Sequence, residues 1–540
     1  MDKKLHELFE NGRWVGHDEL RVTTEYIAAD LKPRSGALKV LLINSPIRTW
    51  SVPNIEPIGL CYIASAAIHD GHDVRILDLN ALRSGPIDDL SSHVTKHLDK
   101  EILEYCPDVI GVGGIITQYG VIRDILKRCR DISSATILLG GGIATCLPEF
   151  MMDRLLPDVL VLEEGEIVFS EILDRVEGNK GLEAVNNILY RNDSGEVVRN
   201  KPGKALMSGR DGLDYIGWPA RHLVDTGVYS KNPVGYLNWD TKWDTGESDS
   251  SKKSLSMLAT RGCPYSCIYC YSDYLGCGYR RRSPVDVVDE MQYLTKRYDL
   301  TYIHFLDELL IGDIKWSFAF FDELERRKES DGFSVLWGGT CRANIIARDI
   351  RKSNNEGRNN VFEAGYKVGM RQACLGIESC SDDVLRSIDK SGQTIDDIRL
   401  ALKESKKVFG YSDPSFMLGS PGETKETVKE TIDFCIENDV DVETIFYTTA
   451  FPGTKLWSMA VDRGLISKFV VGDSTVELND DIIEEYILSL GENSEMVRTN
   501  FSDSLTDEEL VVLGNYATNV LGSKNKRHPH VGDVELGNKK

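Results

Sequence analysis

No stretch of about 18 consecutive apolar residues occurs in the chain, so a membrane-spanning helix is not expected. The first residues, MDKKLHELFENGRW, lack the apolar core of a signal peptide. Basic charge is in deficit: 63 Lys and Arg stand against 85 Asp and Glu, a net charge of −22. So acidic a chain argues against general binding to nucleic acid or anionic membranes, because phosphate contacts need a basic face. Cysteine is scarce at 12 in 540 residues, too few for a disulfide scaffold. No internal repeat with a period of about 20–50 residues is evident. These absences leave a soluble, cytoplasmic protein as the expectation. The hydrophobic fraction of 41% is ample for sizeable cores. At roughly 150 residues per domain, the length suggests three or four units.

Residues 1–36 read as an N-terminal extension. From residue 39 the pattern turns regular. KVLLINSP (39–46), DVRILDLN (73–80), DVIGVGGI (108–115), TILLGGG (136–142) and VLVLEEGE (159–166) are short runs rich in Val, Ile and Leu. Helix-like segments at 57–70, 87–105, 118–133 and 148–155 separate them. Buried strands alternating with helices imply a parallel sheet covered on both faces. The expected α/β fold is a doubly wound, flavodoxin-like (Rossmann-like) domain over 37–180, with its ligand at the carboxyl ends of the strands. Those ends carry Gly113-Gly114, Gly140-Gly141-Gly142 and Glu163-Glu164-Gly165-Glu166. Glycines there let a large cofactor approach the backbone. Residues 181–252 read as a connector, where the rhythm lapses and KWDTGESDSSKKS (242–254) is polar. Its Trp218, Trp239 and Trp243 are expected to pack the connector onto a neighbouring domain, more readily than to line a substrate site.

A second rhythm starts at 254. SLSMLAT (254–260), YIHFLDE (302–308), VLWGGTC (335–341), ACLGIE (373–378), SFMLGSP (415–421) and VETIFYTT (442–449) are six strand candidates. Helical segments follow at 284–298, 315–328, 361–369, 394–409, 424–438 and 455–463. Six such units over 253–463 imply a partial (β/α)6 barrel with its chemistry at the strands' carboxyl ends. A C-terminal helical region (464–522) and a disordered tail (523–540) complete the expected order.

Nine cysteines are scattered, and three are bunched in RGCPYSCIYC: Cys263, Cys267 and Cys270, a C-x3-C-x2-C array. The array directly follows the first strand of the second domain. A structural zinc site takes four ligands, and Cys277 would be the fourth, so a zinc knuckle is one reading. The other is an iron–sulfur cluster, held by thiolates. Three thiolates on a four-iron cluster leave one iron without a protein ligand, and an open position is what catalysis needs.

CPYSCIYC resembles the signature of radical S-adenosylmethionine (SAM) enzymes, including the aromatic Tyr269 before the last cysteine. FLDELL (305–310) resembles that family's second-strand acidic motif, and Arg342 ends the third strand. GIES (376–379) resembles its fourth-strand motif, MLGSPGET (417–424) its fifth-strand Gly-Pro-Gly-Glu-Thr element and FPGT (451–454) its sixth. Ser420 departs from the usual apolar residue. Cys380 stands where Gly is usual and is expected to be a buried thiol. The resemblance implies a 4Fe–4S cluster on Cys263, Cys267 and Cys270. It implies SAM against Tyr269, Asp307, Glu308, Arg342, Glu378, Ser379 and Gly419. Taken alone, Asp307, Glu308 and Glu378 could instead cap the helices that follow them.

The first domain resembles the cobalamin-binding domain fused ahead of many radical SAM domains. The matching residues are Pro57-Ile58-Gly59-Leu60, Gly71-His72, Asp78, both glycine turns and the acidic run at 163–166. The resemblance implies cobalamin against Pro57, Gly59, Leu60, Asp78, Gly113, Gly114, Gly140, Gly141, Gly142, Glu164, Gly165 and Glu166. Members that supply an axial histidine use Asp-x-His-x-x-Gly. Here the place reads Asp78-Leu79-Asn80-Ala81-Leu82-Arg83, so cobalamin without a protein imidazole is the expectation. His69 and His72, at a helix end and its turn, are expected at the surface.

What the resemblance implies is a cobalamin-dependent radical SAM enzyme, foremost a methyltransferase acting on an unactivated carbon of a small molecule or biosynthetic intermediate. Cyclisation, ring contraction or decarboxylation without methyl transfer stays open. So does a non-catalytic cobalamin or redox sensor. Methylthiolation of tRNA fits poorly, because the chain is acidic and carries no basic RNA-binding appendage. The implied partners are the substrate and a low-potential reductant such as flavodoxin or ferredoxin, with no nucleic acid and no membrane.

Overall fold

Short Val-, Ile- and Leu-rich runs become strands in both halves of the computed structural model. It describes residues 32–83, 85–203, 212–231, 253–271, 278–390, 392–440, 442, 444–491 and 496–522. Residues 1–31 of the N-terminal extension, Trp239, Trp243, Cys277 and the tail 523–540 lie outside the described residues. The chain divides into two units. The first joins Met1–Tyr229, Tyr274–Asp289 and Ile487–Glu492. The second joins Ser230–Asp273, Glu290–Tyr486 and Asn493–Lys540.

In the first unit, β1 (Lys39–Asn44), β2 (Asp73–Asp78), β3 (Val109–Gly113), β4 (Thr136–Gly140) and β5 (Val159–Val161) are parallel, in the order β2-β1-β3-β4-β5. This is the doubly wound order expected of a flavodoxin-like sheet. Both faces are covered, so the strands read as continuous apolar runs. Val40, Leu42, Val109 and Leu138 pack with Ala64 and Ala67 of helix Ile58–His69 and with Phe169 and Ile172 of helix Glu166–Glu177. Fully burying each Val, Leu, Ile or Phe among them contributes about 1.5–3 kcal/mol. The sheet does not stop at 180. β6 (Ile188–Arg191) and β7 (Val197–Arg199) extend it antiparallel, joined by a turn in which Gly195 N donates to Asn192 O at 2.8 Å. The expected surface position of His72 is also corrected. The ring is 4% exposed and its Nδ1 accepts from Leu38 N at 3.3 Å. Burial, then nearby Arg34, pushes its pKa below the ordinary value. Trp218 is buried within this unit and donates from Nε1 to Asp286 Oδ1 at 3.1 Å.

In the second unit, β8 (Ser254–Met257), β11 (Tyr302–Phe305), β12 (Leu336–Cys341), β13 (Met370–Glu378), β14 (Asp413–Leu418) and β15 (Thr444–Tyr447) form one parallel sheet in chain order. This is the expected partial barrel. Two-residue strands β9 (Thr260–Arg261) and β10 (Arg280–Arg281) lie outside both large sheets. Alternation along the strands sorts the faces. Leu255, Ile303, Phe305, Trp337 and Leu375 form a buried apolar face, where Phe305 and Trp337 meet edge-on at 6.0 Å. Tyr302 and Gln372 share the opposite face, and Tyr302 OH donates to Gln372 Oε1 at 3.0 Å. That bond crosses β12 at Gly338, where a Cβ would come within 2.2 Å of the phenol oxygen. Side-chain caps start the helices. Asp313 accepts from Lys315 N and Trp316 N ahead of helix Ile314–Asp331, and Thr424 accepts from Thr427 N ahead of helix Lys425–Glu437. Helix Ala343–Glu356, directly after Arg342, is absent from the expected element list. The region after 464 is helical at Leu465–Val471, Asp480–Leu490 and Asp507–Gly522. Among the described residues no helix is long and apolar enough to cross a membrane.

Candidate active site

In the first unit, Asn44 pairs in register with Asp78 on one side and Gly113 on the other, and Gly113 pairs with Gly140. Four neighbouring strands therefore end flush. Beyond that edge the glycine turns interlock. Gly141 has φ +81°, and a Cβ on it would lie 2.8 Å from Gly114 O. A Cβ on Gly114 would lie 2.7 Å from Ile122 Cδ1. Gly59, at the start of its helix, has no atom within 4 Å of a Cβ position. The result is a side-chain-free ledge at Gly113, Gly140 and Gly141, which fits a broad, flat cofactor. Gly165 has another role. A Cβ there would come within 3.0 Å of Ile63 Cδ1, so it brings two helices together.

The polar residues expected on the ledge are mostly engaged elsewhere. Asp78 is 7% exposed and turned inward. Its Oδ1 accepts from Asn44 Nδ2 at 2.7 Å and from the backbone of Asn80 and Ala81, and its Oδ2 accepts from Tyr229 OH at 2.7 Å. Burial raises its pKa, against those hydrogen bonds. Asp78 therefore supports the turn after β2 and is not part of the ledge. Asn80 is fully buried, with Oδ1 accepting from Arg83 Nη2 at 2.8 Å. Glu164 is held by both terminal nitrogens of Arg280, at 2.7 and 2.8 Å.

In the second unit, the loop from Gly262 to Tyr271 carries Cys263, Cys267 and Cys270, all free thiols. Neighbouring elements pin it along its length. Gly262 N donates to Glu308 Oε2 at 3.2 Å, Ser266 Oγ to Asp389 Oδ2 at 3.1 Å, and Ile268 N to Ile388 O at 3.1 Å. Leu456 N donates to Ile268 O at 2.8 Å. Arg342 Nη1 reaches Cys267 Sγ at 3.6 Å, and Arg342 Nε donates to Asn344 Oδ1 at 3.1 Å. Burial pushes the Cys263 thiol up, and Cys270 and Cys267 add to it against a backbone hydrogen bond from Tyr265. Three thiols on one short loop ionise together only beside a positive centre. Among the described residues, no three His, Cys, Asp or Glu side chains could hold a single metal ion. The zinc-knuckle reading therefore gains nothing, and its fourth ligand, Cys277, lies outside the described residues. A cluster is different, because its thiolates are shared among several irons.

Tyr269 and Glu378, two of the expected SAM contacts, touch each other: Tyr269 OH donates to Glu378 Oε1 at 3.1 Å. The sequence did not reveal Lys390. It is 5% exposed, and its Nζ donates to Glu378 Oε1 and to Tyr269 OH, both at 2.9 Å. It lies 12 residues beyond Glu378, past helix Asp382–Ser387, and no pattern marks it. Two expected SAM contacts are placed otherwise. Asp307 is 1% exposed; its carboxylate accepts from Ala259 N at 3.1 Å and from Thr260 N. It fixes the entry to the cysteine loop, and burial pushes its pKa up to about 7. Ser379 is buried and accepts from Ser381 N at 3.1 Å. Gly419 has φ +87°, and its N–H donates to Glu423, which also accepts from Ser420 N at 3.1 Å. Burial pushes Glu423 up to about 7. Cys380 is buried as expected.

The B12 binding domain family matches residues 47–173, and the Radical SAM superfamily matches residues 257–435. The chain belongs to the radical SAM superfamily and carries a B12-binding domain ahead of it. Among its relatives is an uncharacterized methyltransferase of Pyrococcus horikoshii, 27% identical over 441 residues, spanning 79% of this chain and 84% of that one. Another is an anaerobic magnesium-protoporphyrin IX monomethyl ester cyclase of Rubrivivax gelatinosus, 24% identical over 416 residues, spanning 76% of this chain and 67% of that one. Among solved structures, the radical S-adenosylmethionine methyltransferase TsrM from Kitasatospora setae superposes with TM-score 0.62 at 20% identity, over 79% of this chain and 78% of that one. That likeness shows the shared fold. This radical SAM protein is an enzyme whose cofactors are a 4Fe–4S cluster, SAM and cobalamin.

Proposed function

We propose that the protein transfers a methyl group to an unactivated carbon of a small molecule or biosynthetic intermediate. The observation that carries this reading is one chain holding both a glycine ledge fit for cobalamin and a pinned three-cysteine loop fit for a cluster with an open iron. Bound there, the cluster and SAM supply one-electron chemistry that opens a carbon–hydrogen bond, and cobalamin supplies a methyl group. The chain's own side chains bind and orient. Cys263, Cys267 and Cys270 are the cluster ligands, and Arg342 places positive charge beside Cys267. Glu378, fixed by Tyr269 and Lys390, and the Gly419 turn are positioned for SAM. Glu308 holds the first turn of the cysteine loop, Asp307 supports its entry from behind, and Ser379 holds the turn after Glu378. Pro57, Gly59, Leu60, Gly113, Gly114, Gly140, Gly141 and Gly142 make the cobalamin ledge, with Glu164, Gly165 and Glu166 at its border. A low-potential reductant such as flavodoxin or ferredoxin supplies the electron, in the cytoplasm.

The test is anaerobic reconstitution with cobalamin and methyl-deuterated SAM. The product should gain all three deuterons, and 5′-deoxyadenosine and S-adenosylhomocysteine should form in about equal amounts per turnover. Replacing any one of the three cysteines with Ala should abolish SAM cleavage and leave cobalamin binding intact, because the two sets of residues belong to different units. Product without 5′-deoxyadenosine would remove the radical step. The similarity to a cyclase favours one second reading. Altered product and 5′-deoxyadenosine without S-adenosylhomocysteine would mean cyclisation, ring contraction or decarboxylation.

A further inference from the structure

Between helices Asp480–Leu490 and Asp507–Gly522, residues 499–504 run along backbone groups left where β14 and β15 end. Thr499 Oγ1 accepts from Ala450 N at 3.0 Å and donates to Thr448 O at 3.1 Å. Phe501 N donates to Gly419 O at 2.9 Å. Ser502 Oγ donates to Glu423 O at 2.6 Å, and Ser504 Oγ reaches the same carbonyl at 3.3 Å. Arg463 Nη1 donates to Phe501 O at 3.2 Å, which anchors the segment from the barrel side. Leu510 Cδ1 stands 3.2 Å from the position a Cβ would take on Gly419. Thr448, Thr499, Gly419 and Glu423 are buried, so these polar groups have little water to turn to.

Each contact falls on a turn that ends a strand. One is Gly419–Thr424, whose first residue has positive φ and is held from inside by Glu423. The other leads from Thr448 into FPGT (451–454). A single threonine hydroxyl closes the second turn, and one backbone amide with the hydroxyls of Ser502 and Ser504 close the first. We propose that the segment Thr499–Ser502 is a positioning strap for SAM: it fixes the ends of β14 and β15 in the geometry that receives the cofactor, with Thr499 as its central residue. The proposal rests on the reading of the Gly419 turn as a SAM contact. It gives the C-terminal region a role in cofactor affinity, separate from cluster assembly.

The test uses the full chain with its cluster reconstituted, and compares wild type with Thr499→Val, Thr499→Ser and Ser502→Ala. Valine keeps the shape of threonine and removes both hydrogen bonds; serine keeps the hydroxyl. Four quantities are read: iron content, thermal midpoint without SAM, the response of the reduced cluster's paramagnetic resonance to added SAM, and KM against kcat for 5′-deoxyadenosine. Thr499→Val should raise the apparent Kd and KM for SAM about tenfold, as expected for losing a buried hydrogen-bond pair. Its iron content should stay unchanged, and its kcat at saturating SAM should stay within about twofold. Thr499→Ser should match wild type, and Ser502→Ala should show a smaller shift of the same sign. A wild-type Kd in Thr499→Val would overturn the proposal. So would weak SAM binding that tracks loss of iron and of folding in both Thr499→Val and Ser502→Ala, since the segment would then be structural only. If Thr499→Val does not fold, Ser502→Ala carries the comparison. Wild-type protein whose reduced cluster does not respond to SAM would overturn the reading beneath the proposal, a different result from a normal wild type beside an unaffected variant.

Discussion

Arg342 links Tyr265 to Cys267. Its guanidinium carbon stands 3.6 Å from the Tyr265 ring centroid, and its Nη1 donates to the Cys267 sulfur at 3.6 Å. Asn344 closes the group by donating to Tyr265 OH at 3.3 Å. A buried cation against a cluster-ligating sulfur makes an added electron easier to accept.

Arg342→Leu should therefore lower the cluster's reduction potential by on the order of tens of millivolts, with iron content unchanged. A redox titration followed by paramagnetic resonance measures it. A potential equal to wild type would show that the guanidinium does not act on the sulfur.

Lys390 and Glu378 are a nearly buried ion pair, with side chains 6% and 13% exposed and 2.9 Å apart. Lys390→Met leaves the carboxylate without its cation and should cost about 3–5 kcal/mol of unfolding stability. Glu378→Gln combined with Lys390→Met should recover much of that loss, because no uncompensated charge remains. Urea midpoints of the single and double variants measure the coupling. Strict additivity would deny the pair.

Glu423 is a buried carboxyl held at about 7, above its ordinary 4.5, by burial against two backbone hydrogen bonds. Its folded state favours the protonated form. The associated stability is full below about pH 4.5 and is lost as pH rises through about 7. Wild-type protein should therefore become easier to unfold between about pH 5 and pH 8, by at most about 3 kcal/mol from this group. Glu423→Gln should flatten that part of the profile, leaving the similar contribution of Asp307. An unchanged slope would mean that Glu423 titrates normally.

Asn80 stands where an axial histidine would be expected, and it is fully buried with its carbonyl oxygen bound by Arg83. Cobalamin bound to this protein should show no lower-face nitrogen splitting in the paramagnetic resonance of its cobalt(II) form. Clear splitting, abolished by one His→Ala change, would reverse that expectation.

The first sheet was legible because a parallel strand buried on both faces writes itself as an apolar run, as in Lys39–Asn44, and the second because its short strands alternate with helices at a regular spacing. The β6–β7 hairpin was missed although its turn, Asn192-Asp193-Ser194-Gly195, carries turn residues. Its strands are only four and three residues long. Helix Ala343–Glu356 was missed because its apolar stripe is short: Ile345, Ile346 and Ile350 among Arg, Asn and Lys. Within the site, sequence order located the strand ends and therefore the cysteines, Arg342 and Glu378. It could not say which way a side chain turns after its strand. Asp78, Asp307 and Ser379 sit at the right places along the chain and point into it. Lys390 reaches Glu378 only because the chain returns after helix Asp382–Ser387, a tertiary fact with no local signature.

The touching turns at Gly114 and Gly141 also divide the first domain into rigid and permissive positions for directed evolution. A library randomised at Gly141 would consist mainly of clashing or strained variants, since its φ is positive and a Cβ would meet the Gly114 backbone, whereas at Gly114 the ends of the Ile122 and Gln118 side chains must move aside. Gly59 is the opposite case. Nothing stands within 4 Å of its Cβ position, so Gly59→Ala should fold like the parent and extend its helix favourably. Any harm it does would then be a steric imprint of the cofactor itself. A series of growing side chains at residue 59, screened by retention of cobalamin, would trace the outline of that bound molecule.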